Sequence, residues 1–281
     1  KGLDISPKNF NPHAVLSIIS QAKNELISST EYPQYAQGYF QETVARIYLQ
    51  YQNLLEKSDA LDFDDLLNKT VKLFQNQPLV LQKYQNVFQH ILVDEWQDTN
   101  KAQYILTYLL AKQHRNLVVV GDCSQSIYGW RGADFKNVMS LEKEFPEIKT
   151  INLEQNYRST QKILNTAYEI IKHNRSHPIL KLWTKNPEGE KIKIYQASSE
   201  TDEAQFIIET IRNLNCPLGD YAILYRTNAQ SRVIEEVFLH SGIPYTLVGG
   251  VKFYSRKEIK DFLVYLRVVL NPKDIVSYKI I

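Results

Sequence analysis

The chain has 281 residues, of which 43% are apolar, enough for two domains of ordinary size with their own cores and too many for a disordered chain. Its 33 Lys and Arg stand against 31 Asp and Glu, a net charge of +2, so any nucleic-acid surface has to be a local patch and not a property of the bulk charge. Two cysteines, Cys123 and Cys216, exclude a disulfide framework and a zinc spacing and fit a reducing compartment, and no run of about 18 apolar residues exists to span a membrane.

Residues 1 to about 60 read as helices. Ala14-Val15-Leu16-Ile18-Ile19 and Val44-Ile47-Tyr48-Tyr51-Leu54-Leu55 place apolar side chains at helical spacing. Leu61-Asp62-Phe63-Asp64-Asp65-Leu66-Leu67 opens a further helix, its acids favoured in the first turn by the dipole. Three short apolar runs come next. Ile91-Leu92-Val93 ends in Asp94-Glu95, Leu117 to Val120 ends in Gly121-Asp122, and Thr150 to Leu153 ends in Glu154-Gln155. Helical patterns, Ala102 to Gln113 and Thr160 to His173, alternate with them. The alternation predicts an α/β fold with a parallel sheet covered on both faces and ligands at the carboxyl ends of its strands.

After the turn Pro187-Glu188-Gly189-Glu190, a second α/β layer is expected. Its strands would be Lys191 to Ala197, Tyr221 to Tyr225 and Tyr245 to Val248. Its helices would be Asp202 to Leu214 and Gln230 to His240. A last helix, Arg256 to Leu270, should stop at Asn271-Pro272.

Three strand-end segments carry chemistry. In Ile91 to Asn100, two adjacent acids suit a nucleotide site: one carboxylate holds Mg²⁺ while its neighbour takes a proton from an attacking water. An ordinary acidic strand–helix loop would look the same. In Gly121 to Ala133, Gln125 can orient water or touch a γ-phosphate, Tyr128 and Trp130 offer faces for unpaired bases, and Arg131 can grip a phosphate. The two aromatics read equally well as packing between domains. In Leu153 to Thr160, Arg158 just before a helix is placed like an arginine finger, or is a surface arginine beside a helix cap.

Together and in this order, the three segments resemble the superfamily 1 DNA helicases of the UvrD/Rep/PcrA kind. Asp94-Glu95-Trp96-Gln97-Asp98-Thr99-Asn100 is similar to motif II, with Trp96 where Phe or Tyr is usual. Gly121 to Ala133 is similar to motif III, departing from it at Cys123 or Ser124 and at Gly129, and Leu153 to Ser159 is similar to motif IV. Leu224 to Arg232, Gly249 to Ile259, Ala22 to Leu26 and Leu61 to Leu67 extend the likeness over nearly the whole chain.

The resemblance implies parts of two RecA-like P-loop NTPase domains with helical subdomains. These would be a helical accessory subdomain over 1–60, the C-terminal part of a first motor domain over 61–148, the first part of a second over 149–255, and the start of a helical insertion over 256–281. It implies ATP and Mg²⁺ as cofactors. Asp94, with Glu95, would hold the Mg²⁺, and Glu95 would be the general base. Gln125 would sense the γ-phosphate, Tyr157 would stack on adenine and Arg158 would be the finger. Tyr128 and Trp130 would stack on bases of single-stranded DNA, and Arg131, Arg226 and Asn228 would serve the DNA track or the coupling between domains. The implied activity is 3′ to 5′ translocation on single-stranded DNA and unwinding at single-strand/duplex junctions. The implied setting is the cytoplasm at the nucleoid, alongside repair proteins, in repair or replication restart.

The phosphate cradle Gly-x-x-x-x-Gly-Lys-Ser/Thr is not in the chain, since none of its ten glycines precedes a lysine. The start at Lys1-Gly2-Leu3 and the end at Ile280-Ile281 read as cuts, and the piece is expected to be inactive by itself. Two rivals stand beside this reading: a helicase–nuclease subunit of the AddA/RecB type, and a non-catalytic DNA-binding scaffold. Asn156-Tyr157-Arg158-Ser159 and Trp130-Arg131-Gly132 favour the UvrD branch.

Overall fold

The computed structural model describes residues 5–134, 136–248 and 257–270, and the chain divides into two units, Lys1–Lys191 and Ile192–Ile281. Helix α1 (Pro12–Asn24) starts where Asn11 accepts from the His13 amide and Pro12 fills the first turn, where a missing N–H costs nothing. It packs on α2 (Gly38–Lys57) through Val15, Ile19, Ala22, Val44, Ala45 and Tyr48, with Phe10 and Tyr32 closing the cluster. Helix α3 (Phe63–Asn76) is capped by Asp62, whose side chain accepts from the Asp65 amide. Its Val71 and Phe74 meet Leu81 of α4 (Pro78–Val87) and Leu109 of α5 (Lys101–Ala111). The apolar pattern does not announce α4, which begins on Pro78 directly after α3 ends.

Strands β1 (Ile91–Val93) and β2 (Leu117–Val119) pair in parallel, Ile91 opposite Leu117, and α5 connects them. Ile91, Val93, Leu117 and Val119 pack with Trp96, Tyr104, Ala111, Leu141 and Phe145, the last two at α6 (Asn137–Glu144) and its end. Leu92 and Val118, on the other face, are exposed. Among the described residues the expectation of a sheet covered on both faces is therefore met on one face only, where the helices α5 and α6 supply a single layer.

The third expected strand, Thr150 to Leu153, forms no ladder, and Ile151 and Leu153 are exposed. Beyond it, among the described residues, lie one isolated bridge, Gln155 to Trp183, and then α7 (Gln161–Ile171).

In the second unit, α8 (Glu200–Leu214) is capped by Ser199 and carries Glu200, Asp202 and Glu203 in its first turn. Helix α9 (Asn228–His240) starts in a capping box between Thr227 and Gln230. Ile208 and Ile211 of α8 pack on Phe238 of α9, with Tyr221, Ile223 and Ile243 beside them. The three strands expected here are not formed: 191–197, 221–225 and 245–248 carry no ladder, and Ile194, Leu224 and Val248 are exposed. An apolar run becomes a strand only when a neighbour meets its amides and carbonyls, and the described residues offer none. Helix α10 (Lys257–Leu270) lies where a helix is expected. Its predicted stop at Asn271-Pro272, the segment Gly249 to Arg256 and the Arg131 side chain fall outside the described residues. No helix among the described residues is long and apolar enough to cross a membrane.

Candidate active site

Strand β1 delivers Asp94 and Glu95 to the end of the small sheet, both exposed. Glu95 is left-handed, with φ 51° and ψ 44°, and its amide donates to Asp94 Oδ1 at 2.9 Å. A non-glycine residue in this region costs on the order of 1–2 kcal/mol, so the surroundings must hold it there. Two anchors do so. The buried Trp96 donates its amide to Val120 O at 2.9 Å and sets its ring against Tyr104. Gln97, only 1% exposed, donates Nε2 to Glu95 Oε2 at 2.8 Å and accepts the Asp122 amide on Oε1 at 3.0 Å.

Gln97 thus stitches the acidic loop to the loop after β2. The stitch explains Gly121: a Cβ there would stand 2.7 Å from Gln97 Oε1 and 3.2 Å from the Trp96 amide. Asp122 continues the chain of bonds. Its Oδ1 accepts from the Ser124 amide at 2.9 Å, and its Oδ2 accepts from Gln125 Nε2 at 2.9 Å. Glu95 and Gln125, far apart in the sequence, are therefore linked through two short side chains. Sequence reasoning assigns no role to Gln97 or Asp122, although Gln97 lies inside the motif that points to the site. Cys123 is half-buried, and burial, with Asp122 beside it, pushes its thiol pKa up.

The same loop carries the aromatic pair. Tyr128 and Trp130 belong to a single helical turn, Gly129–Arg131, capped by Tyr128 and closed by Gly132 at φ 81°. Their ring centroids are 6.4 Å apart at 46°, and Trp130 is 66% exposed. An indole so exposed is not a core residue.

Tyr157 and Arg158 sit on a separately braced loop. Asn156 Oδ1 accepts from the Arg158 and Ser159 amides at 2.9 and 2.7 Å. Asn186 Nδ2 donates to the carbonyls of Tyr157 and Ser159. Both side chains lie outside any core, Tyr157 being 78% exposed. Among the described residues no hydrogen bond or ion pair joins Arg158 to Asp94 or Glu95. In the second unit, the Arg226 and Thr227 amides donate to Gln230 Oε1, and Asn228 is the exposed first residue of α9.

The donor set suits a hard cation sparingly bound. Magnesium takes one or two carboxylates and keeps waters or phosphate oxygens for the rest. Exposed Asp94, next to Glu95, fits that demand, and among the described residues no His/Cys/Asp/Glu cluster competes with it.

Residues 1–146 match the UvrD/REP helicase N-terminal domain, and residues 151–281 match the UvrD-like helicase C-terminal domain. The chain belongs to the UvrD/REP helicase family. It is 54% identical to ATP-dependent DNA helicase PcrA of Staphylococcus aureus strain Mu50, over 99% of this chain and 38% of that protein. It is 52% identical to the protein of the same name in Staphylococcus epidermidis, over the same shares. The chain thus spans well under half the length of these relatives. Within the UvrD/REP frame the acidic and aromatic loops fall in the N-terminal match, and Tyr157, Arg158, Arg226 and Asn228 in the C-terminal one.

Proposed function

We propose that this chain works as part of a longer ATP-dependent DNA helicase that translocates 3′ to 5′ along single-stranded DNA and opens single-strand/duplex junctions, in the cytoplasm at the nucleoid, in repair or replication restart alongside repair proteins. The supporting observation is the bond chain Glu95–Gln97–Asp122–Gln125, which links a carboxylate able to take a proton with an amide able to orient water. The two halves would be parts of two RecA-like motor domains, bounded at 61–148 and 149–255, with helical parts over 1–60 and 256–281.

In this reading water attacks the γ-phosphorus of ATP, its proton passes to the Glu95 carboxylate, and the β–γ bridging oxygen leaves with the bonding electrons on ADP. Glu95 is suited to the task because Gln97 fixes one carboxylate oxygen and leaves the other to the water. Asp94, with Glu95, would hold Mg²⁺, which when bound neutralises charge on the phosphates. Tyr157 would stack on adenine, and Arg158 would meet charge developing on the γ-phosphate. Tyr128 and Trp130 would stack on bases, with Arg131, Arg226 and Asn228 along the DNA path or between the domains.

The test uses the full-length protein and this chain side by side. The full-length protein should hydrolyse ATP faster with single-stranded DNA and should unwind a duplex with a 3′ tail in preference to one with a 5′ tail. This chain, which holds no Gly-Lys-Ser/Thr cradle for the phosphates, should show no turnover above its Glu95→Gln variant. DNA binding without turnover in the full-length protein would instead make it a scaffold, and strand cleavage coupled to ATP would make it a helicase–nuclease subunit.

A further inference from the structure

Asn24 is the last residue of α1, remote in sequence from both loops, and it is 7% exposed. Its Oδ1 accepts from Asn100 Nδ2 at 2.8 Å. Asn100 is the cap of α5: its Oδ1 takes the Gln103 amide at 2.9 Å, and the Gln103 side chain returns a bond to the Asn100 amide. The cap therefore begins at the end of the acidic loop and is held from outside by Asn24 through that side-chain amide hydrogen. Asn24 also abuts the aromatic loop, because a Cβ added to Gly132 would lie 3.2 Å from its own Cβ. The two loops are tied once more at Thr99, whose carbonyl accepts from the Asp134 amide at 3.1 Å and from Asn137 Nδ2 at 2.8 Å.

The end of α1 is fixed in place. Lys23, 2% exposed, places Nζ 2.7 Å from Asp62 and 2.9 Å from Asp65 at the start of α3. Its carbonyl accepts from Asn68 Nδ2 at 2.8 Å. Removing either partner of a buried pair leaves a charge stranded, which is strongly unfavourable, so this anchor holds as a unit. A rigid post thus touches the cap after Glu95 on one side and the turn after Trp130 on the other.

We propose that Asn24 is a positioning residue that couples the aromatic loop to the acidic loop, so that DNA on Tyr128 and Trp130 alters the setting of Glu95 through Gly132, Asn24 and Asn100. The proposal rests on the helicase reading above and deepens it by naming the contact that carries DNA stimulation. In this reading Asn24 acts on the coupling between the two sites and not on either ligand.

The test is made in the full-length protein with single-stranded oligonucleotide as the activator. Asn24→Ala should cut the ratio of DNA-stimulated to DNA-independent ATP turnover by about 5- to 150-fold. The DNA-independent rate and the KM for ATP should stay within about twofold. Asn100→Ser is the sharper variant. Ser still caps α5 but is too short to reach Asn24, so it should reproduce the loss of stimulation in a folded protein. Asn24→Asp keeps the acceptor and should restore stimulation. Parallel loss of both rates, unchanged stimulation, or unfolding of Asn100→Ser would each overturn the proposal and make the bond a stability contact only. A wild-type protein with no ATP turnover at all would overturn the helicase reading itself, which is a separate result.

Discussion

The segment from β1 to α6 and the segment from 192 to 248 carry the same kind of signal, apolar runs alternating with helices, yet they end differently. Around β1 and β2 a parallel ladder exists, and buried polar groups lock the loops that leave it: Gln97 bridges Glu95 and Asp122, and Asn100 caps α5. In the second segment α8 and α9 pack well, with Tyr221 and Ile223 beside them, but the expected strand runs form no ladder among the described residues, Ile194, Leu224 and Val248 lie open, and a cavity of about 950 Å³ is bordered by Tyr221, Ile223, Phe238 and Tyr245. Amphipathic helices carry their own hydrogen bonds and need only one apolar surface. Strands take theirs from a neighbour, so loops are set sharply only where that neighbour is present.

If that contrast governs function, residues on the braced loops should act through precise geometry, and exposed residues through what they reach in the full-length protein. Arg158 gives the largest expected effect. It is exposed and makes no bond to the acidic pair among the described residues, so the proposed finger role would be expressed only with nucleotide beside it. Arg158→Ala in the full-length protein should lower kcat by about a thousandfold or more while ATP affinity changes far less, since a finger acts on charge that develops in the transition state. Equal losses in turnover and affinity, from single-turnover rates and equilibrium titration, would mark a ground-state contact instead.

Trp130 tests the aromatic loop. Trp130→Ala should weaken single-stranded DNA binding by about 1–3 kcal/mol, the usual worth of one stacked base. Thermal stability should fall by less than the roughly 3–5 kcal/mol expected for emptying a core tryptophan site. A variant that loses several kcal/mol of stability and binds DNA normally would show that the ring packs between domains.

The smallest effect concerns Trp96, which stands where the family usually carries Phe or Tyr. Its ring is buried, but its Nε1 has no hydrogen-bond partner among the described residues. Trp96→Phe gives up indole packing and also removes a buried unmet donor, two effects of similar size and opposite sign. Stability measured by denaturant should therefore shift by less than about 1.5 kcal/mol. A larger loss would mean that the indole volume, and not only an aromatic ring, sets the acidic loop.

How much of the molecule is legible in the sequence divides along the same line. The helices are readable: α5, α7, α8, α9 and α10 lie within a few residues of the expected spans, because their apolar spacing and caps are local properties. Helices α4 and α6 escape the pattern, being short and starting on Pro78 and Asn137 without a long periodic stretch. The runs 150–153, 191–197, 221–225 and 245–248 look like strands and are not, since propensity cannot say whether a neighbour will supply the ladder. In the site, the motif order points to Asp94, Glu95, Gln125, Tyr128 and Trp130. It does not point to Asn24, Gln97 or Asp122 as the connectors, because a bridge between residues 25 or 76 positions apart leaves no local pattern.

Whether the braced acidic loop is a catalytic site for ATP hydrolysis is tested most directly by the Glu95→Gln variant of the full-length protein. Its turnover is measured with saturating single-stranded DNA, together with its affinity for ATP. Gln keeps the shape and can still meet Gln97, but it cannot accept the proton. A fall in kcat of about a hundredfold or more, with ATP binding retained, is the predicted result. Turnover within about tenfold of the unmodified protein, equivalent to roughly 1.4 kcal/mol in the barrier, would contradict it.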